Sequence, residues 1–475
     1  MRKYFIKFAF SSFCLLFFLM QSLCFSQPSW VWAKSFGGTK DDFSSCVKTD
    51  NSGNVFIAGT FDSPTISFGT NMLTLMLHSK TDIFLAKLDA NGNALWARSA
   101  GTLDKDAGCF TNFNHVRCMA IDNSGNCYLS GMFEPDSVMF PPSTILVKTG
   151  LRGADIFLAK YDVSGTLLWA KKFGGNAWDK ATGICVDNNG NIILTGSFWS
   201  STIAFDSFIL NNTGGVNAFV VKLNSNGNVI WAKCSAGNLG SDAPSVAIDN
   251  SNNIYMGGDF TSSTILFDTQ ILNNTGAWDV FLAKYDSNGN AVWARSATGS
   301  KTDELFDIKT DGSGNIYLAG RFISTSLGFG GLPSLTNNGD GYFYDVFMAK
   351  YDINGNALWA KSFGGDKEEN GLSLALDNSG NLIITGLFES SAVSFDTHVV
   401  NRTGTRNTFI AQCDLNGNIQ WAASSGGNNN DDFNCITSDN TGSKYFFGSF
   451  NNSFSIGSNN LSSAGKSDVY LIKFQ

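Results

Sequence analysis

Carboxylates recur at comparable places along this chain: Asp42, Asp179, Asp242, Asp303, Glu369 and Asp431, with Asp104 or Asp106 in one irregular stretch. Acids gathered round one point bind a hard divalent cation, calcium foremost, through oxygens at about 2.3–2.6 Å. Acids that cap the amides of their own loops need no ion. Turns such as Asp50-Asn-Ser-Gly-Asn54, Asp187-Asn-Asn-Gly-Asn191 and Asp311-Gly-Ser-Gly-Asn315 open like a calcium loop but lack the later acidic ligand. They read instead as Asp and Asn side chains bonding their own turn backbone. Catalytic chemistry has few carriers. The histidines are His78, His115 and His398, far apart, and no nucleophile, histidine and acid follow one another in a recognisable order. Glutamate occurs at 134, 304, 368, 369 and 389, and a glycoside-cleaving acid pair drawn from the aspartates is not singled out. Aromatic residues offer a different chemistry. Tyr342 and Tyr344, beside Asp340 in Gly339-Asp-Gly-Tyr-Phe-Tyr344, and Phe113 and His115 in the segment 101–117 are placed to stack on a sugar or anchor a protein.

What positions these residues is a repeat. A Trp-Ala pair returns at Trp32, Trp96, Trp169, Trp231, Trp293, Trp359 and Trp421. An apolar run closed by Gly-x-Phe ends at Phe61, Phe133, Phe198, Phe260, Phe322, Phe388 and Phe450. A third motif, Asp82-Ile-Phe-Leu-Ala-Lys-Leu-Asp89, returns from Asp155, Asn217, Asp279, Asp345, Asn407 and Asp468. Three registers in constant order mark a repeat architecture. Each repeat reads as four strands. In the fourth these are Val246 to Asp249, Ile254 to Phe260, Asp279 to Asp286 and Ala291 to Ser296, joined at the hairpins by Asn- and Gly-bearing turns. Apolar spacing of three and four never persists, so helices are not expected.

Four-stranded units repeated radially predict an all-β fold, a seven-bladed β-propeller of antiparallel blades spanning 27–475. Small residues fall on the first strand and Trp on the last, as blades that splay outward require. The segment Trp30 to Phe36 reads as a fourth strand with no first three, and the sequence ends on a third strand with no fourth. The two are expected to pair, sealing the ring and removing two sheet edges. On this scheme the recurrent acids, the 101–117 segment, the 323–344 connection and Phe140-Pro-Pro-Ser share one face. The acids would then ring one channel mouth, with Asp42, Asp179, Asp242, Asp303, Glu369 and Asp431 as metal candidates.

Residues 1–26 carry Arg2, Lys3 and Lys7 ahead of a Phe- and Leu-rich stretch and a small-residue exit near Ser26, which reads as a secretory signal peptide. Its removal leaves a chain more acidic than the formal net charge of −8. Such a surface repels phosphate backbones, and nucleic acid is excluded as partner class. No later segment is apolar enough to span a membrane. Beyond the leader stand Cys46, Cys109, Cys118, Cys127, Cys185, Cys234, Cys413 and Cys435. Cys46, Cys118 and Cys435 share one repeat position with Gly183, Ser245, Asp307 and Ser373, either as small fillers or as bridges between neighbouring blades.

Strings such as Asp249 to Phe260 and Asp279 to Trp293 resemble the bacterial SBBP-type β-propeller repeats, abundant in secreted proteins of Bacteroidetes-like bacteria. The resemblance covers 30–475 and implies architecture rather than activity. Gly289 and Trp293 also keep a Gly-x-x-x-Trp spacing similar to that of quinone-dependent dehydrogenase propellers, read as convergent blade packing. The expectation is a secreted, monomeric, non-enzymatic scaffold that binds a glycan or protein at the face with the long loops. An extracellular hydrolase or lyase with a carboxylate site at the channel mouth, and a structural cell-envelope component, are the alternatives.

Overall fold

The computed structural model describes residues 28–77, 79–102, 114–339, 341–426 and 432–475. The expected leader, His78, Asp104, Asp106, Cys109, Phe113, Asp340 and Asp431 lie outside them, as does the side chain of His115. The chain is an all-β protein of propeller type, with no helix among the described residues.

One four-stranded antiparallel sheet recurs along the chain. In the fourth copy Ser241–Ile248, Ile254–Phe260, Asp279–Tyr285 and Ala291–Thr298 pair in that order. The first strand starts earlier than the sequence suggested. A bulge between Asp242 and Ser245 takes up Ala243 and Pro244, which lets a proline without an N–H sit within a paired strand. The corresponding first strands of the other copies are Asp42–Thr49, Asn114–Ile121, Asp179–Val186, Asp303–Thr310, Glu369–Leu376 and Asp432–Ser438. Each contacts the first strands of its sequence neighbours, and Asp42–Thr49 also contacts Asp432–Ser438. A single cavity is lined by residues from all of these strands, so they surround an axial channel. Trp30–Phe36 pairs antiparallel with Asn459–Phe474, from Trp30 opposite Phe474 to Phe36 opposite Val469.

Second and third strands, such as Val55–Phe61 and Asp82–Leu88, are buried along their whole length because each sheet is covered on both faces by its neighbours. Their Phe, Ile, Leu and Val side chains form apolar clusters that bridge adjacent sheets. Local chemistry sets the turns. Asp249 Oδ1 accepts the amides of Ser251 and Asn253 at 2.9 Å, and Asn253 Nδ2 donates to Oδ2 at 2.7 Å. The same closed turn is built on Asp50, Asp187, Asp311 and Asp377.

Tertiary packing turns the Trp-Ala motif into a dock. Trp231 lies over Gly289 in the turn of the next sheet, its Nε1–H donating to Ser287 O at 3.3 Å. Trp96, Trp293 and Trp359 repeat this on Gly165, Gly355 and Gly417, and Trp32 does so on Gly92. The glycine is required twice over. Gly289 has φ +84°, and a Cβ there would stand 2.8 Å from the Trp231 ring.

The connections between second and third strands, read from sequence as loops, fold as hairpins. Thr202–Phe205 pairs with Phe208–Asn211, and Thr264–Phe267 with Gln270–Asn273. Their Phe-Asp-x turns place Asp206 at φ 53° and Asp268 at φ 50°, which aspartate tolerates better than most residues. These hairpins extend the outer strand of the preceding sheet: Ala236 and Gly237 pair with Leu266 and Ile265, and Ala297 with Phe329. That role comes from contact between units, so strand-length patterning alone did not reveal it.

Candidate functional site: the mouth of the axial channel

The recurrent acids begin the first strands, but they do not stand open at the mouth. Asp42, Asp179, Asp303 and Glu369 are completely buried. Asp179 Oδ2 accepts Gly175 N at 2.8 Å and Ser200 Oγ at 2.7 Å, and Asp42 does the same with Gly38 and Ser63. Asp303 takes Ser324 Oγ, and Glu369 takes Gly365 N. Each thus fastens the loop entering its own sheet. Burial outweighs these bonds and raises Asp42, Asp179 and Asp303 to about 6, and Glu369 to about 7. Asp242 does not belong to this set: Ser241 pairs with Phe260 where Asp179 pairs with Phe198, so the equivalent residue is Ser241. Among the described residues no three Asp, Glu, His or Cys side chains converge as metal ligands would.

Among the described side chains, the mouth is formed by the next residue of the first strands: Phe43, Lys180, Asp242, Glu304 and Asn370. Here the repeats diverge. Lys180 Nζ lies 2.5 Å from Asp242 Oδ2 in the next sheet and 5.5 Å above the Trp199 ring. Asp242 pairs in register with Asp259, which puts both carboxyls on one face. Asp259 is buried, and burial first, then the Asp242 and Glu304 charges, push its carboxyl well above the usual range.

The adjoining sheets add a guanidinium clamp. Arg321 donates through Nε to Glu304 Oε2 at 2.5 Å and through Nη1 to Asn370 Oδ1 at 2.6 Å, and its Nη1 stands 3.4 Å from Glu368. Its guanidinium lies 4.0 Å over the Tyr344 ring and 5.4 Å from Phe306. The two tyrosines singled out from sequence therefore differ in role. Tyr344 is a platform beneath Arg321. Tyr342 is 79% exposed, with the Lys301 ammonium 5.7 Å above its ring. Trp178 and Trp199 add exposed aromatic faces nearby, linked by the bond from Trp199 N to Trp178 O.

Sequence reasoning missed Lys180, Asp259, Glu304, Arg321, Trp178 and Trp199. A signal existed: with repeats aligned on Gly-x-Phe, the position opposite x is the one that varies between sheets in charge and aromaticity.

No family model matches the chain. An uncharacterized WD repeat-containing protein of Acanthamoeba polyphaga mimivirus is 23% identical over 364 residues, 64% of this chain and 26% of that protein. A regulatory protein, FlaEY, of Caulobacter vibrioides is 22% identical over 411 residues, 82% of this chain and 41% of that protein. The chain thus spans less than half the length of either relative. Among solved structures, the Neurospora crassa Pan2 WD40 domain aligns over 94% of this chain and 97% of its own, at 11% identity and a TM-score of 0.42. A puromycin hydrolase aligns over 88% of this chain and 51% of its own, at 9% identity and a TM-score of 0.41.

Proposed function

We propose that the chain is an exported, monomeric seven-bladed propeller, closed by Trp30–Phe36, that binds a glycan at the mouth formed by its third to sixth sheets. Closure is supported by the pairing of Trp30–Phe36 with Asn459–Phe474 and by Trp32 seated on Gly92 of the first sheet. Export is supported by the leader pattern at 1–26. The observation that carries the binding reading is the mouth itself. Repeats that agree elsewhere differ here, and they set exposed Trp178, Trp199 and Tyr342 beside a paired network of Lys180, Asp242, Glu304 and Arg321. Flat rings stack on sugar faces, while fixed donors and acceptors read hydroxyls. A glycan array with the protein lacking 1–26 tests it, with Trp199→Ala and Tyr342→Ala as controls. Binding that survives both substitutions refutes the choice of site, and an array with no response refutes glycan as the partner class, leaving protein capture as the next reading.

A second reading is favoured by Asp259. Asp259 is a buried carboxyl whose charged form is disfavoured, and it stands in register with Asp242; a glycan-cleaving hydrolase or lyase uses such an acid to protonate a leaving group while a second acid acts as base or nucleophile. Release of reducing ends from an array-positive glycan, abolished in Asp259→Asn with binding retained, would establish it.

A further inference from the structure

Below the mouth, the channel is lined by Cys46, Cys118, Ser245, Asp307, Ser373 and Cys435. Further along the same strands stand Lys48 and Lys309, on the first and fifth sheets, where the channel opens into a cavity of about 590 Å³ at the opposite end. The charges there do not balance. Asp307 is the acid of the channel wall, and its oxygens are taken: Lys309 Nζ at 2.5 Å and Ser245 Oγ at 3.0 Å on Oδ1, Leu374 N at 2.9 Å and Ser373 Oγ at 3.2 Å on Oδ2. Despite burial, Lys309 foremost, the Leu374 amide and Lys48 hold Asp307 below the usual carboxylate range. Asp311 and Asp377 border the cavity but are committed to their turns, to Tyr317 and to Lys444 respectively. Lys48 makes no hydrogen bond or ion pair among the described residues. It lines both the channel and the cavity at its opposite end, which places it inside the lumen, and its charge acts on Cys118, Cys185 and Lys309 of three other sheets. Arg117 adds a further cation to the channel wall.

An unneutralised ammonium in a polar cavity is unusual in a chain of net charge −8, where carboxylates are plentiful. From this we infer that the channel binds a small doubly charged oxyanion, a dicarboxylate or a phosphate, with Lys48 as its principal partner and Lys309 as the second. The hydroxyl of Thr437, which borders the same cavity, supplies a neutral donor. The site is at the end opposite the aromatic mouth, and it stands whether or not that mouth takes a glycan.

The test is isothermal titration calorimetry of the protein lacking 1–26 with inorganic phosphate and, separately, malonate in low-salt buffer. A binding heat with at least one anion is expected. The affinity should fall at least tenfold in Lys48→Met, which keeps the stem volume, and should rise severalfold in Asp307→Asn, which frees Lys309 while retaining an acceptor. Tyr342→Ala should leave it unchanged. A response to phosphate alone identifies a phosphate group as the ligand chemistry, and one to malonate alone a dicarboxylate. Absence of heat with both anions, or native affinity in Lys48→Met with a native circular dichroism spectrum, overturns the inference.

Discussion

The dock between Trp231 and Gly289 can be dissected by a double-mutant cycle. Trp231 is 9% exposed, so Trp231→Ala removes a nearly buried ring together with the Nε1–H bond to Ser287 O. Truncation of a large core aromatic costs about 3–5 kcal/mol. Gly289→Ala carries two separable penalties. A side chain at φ +84° costs about 1–2 kcal/mol, and a Cβ 2.8 Å from the ring must displace it, a misfit of about 1–3 kcal/mol. In the Trp231→Ala background the second penalty vanishes, because the atoms the new methyl would strike are gone. The double variant should therefore be more stable than the sum of the singles by about 1–3 kcal/mol. Chemical denaturation followed by tryptophan fluorescence and far-ultraviolet circular dichroism measures all four corners. Additivity within about 0.5 kcal/mol would refute the reasoning, since residues that do not touch are expected to behave so.

The ring-closing pair gives a second expectation: a chain starting at residue 37 leaves Asn459–Phe474 with an open edge and should aggregate or melt much lower, and a peptide of residues 28–37 added in trans should restore solubility, as light scattering would report. For pH, Asp42, Asp179 and Asp303 titrate near 6 when folded and near 3.8 when unfolded, so each contributes stability that is present below 3.8 and lost as pH rises through 6. The turn acids Asp50, Asp187 and Asp311 have lowered values and act in the opposite sense only below 3.8. Melting temperature should therefore fall between pH 4.5 and 7, and Asp179→Asn should remove about 2–3 kcal/mol of that fall; a rising profile would contradict the burial argument. Arg321→Ala should destabilise the mouth by about 1–3 kcal/mol through lost charged hydrogen bonds and abolish glycan retention, and Arg321→Lys should not rescue it, because an ammonium cannot span Glu304, Asn370 and the Tyr344 face together.

The mouth places unlike chemistries within one surface for a reason visible in the fold. Phe43, Lys180, Asp242, Glu304 and Asn370 stand on the rim, whereas the residue before three of them, Asp42, Asp179 and Asp303, is locked by Ser63, Ser200 and Ser324. Asp179 cannot vary without unfastening its loop from Ser200, but Lys180 beside it can pair with Asp242, stack on Trp199, or do neither. Variation is thus channelled to the rim, and recurrence is retained beneath it.

What the sequence determined by itself was everything governed by neighbours along the chain. The Asp-x-x-x-Asn turns close through bonds spanning two to four residues, and the alternating and continuous apolar runs dictate strands, so the all-β repeat and its turns were legible from Asp249 to Phe260 alone. The tertiary structure decided which carboxylates are spent and which are free. Asp179 is buried by Ser200, 21 residues on, whereas Asp242 stands one place further along its strand, with Ser241 in the position of Asp179. Asp259, Arg321 and Lys48 acquire their character from residues on other sheets, Glu304, Asn370 and the cations and thiols of the channel among them. Burial and charge are properties of a neighbourhood assembled across units some sixty residues apart, and no local pattern encodes them.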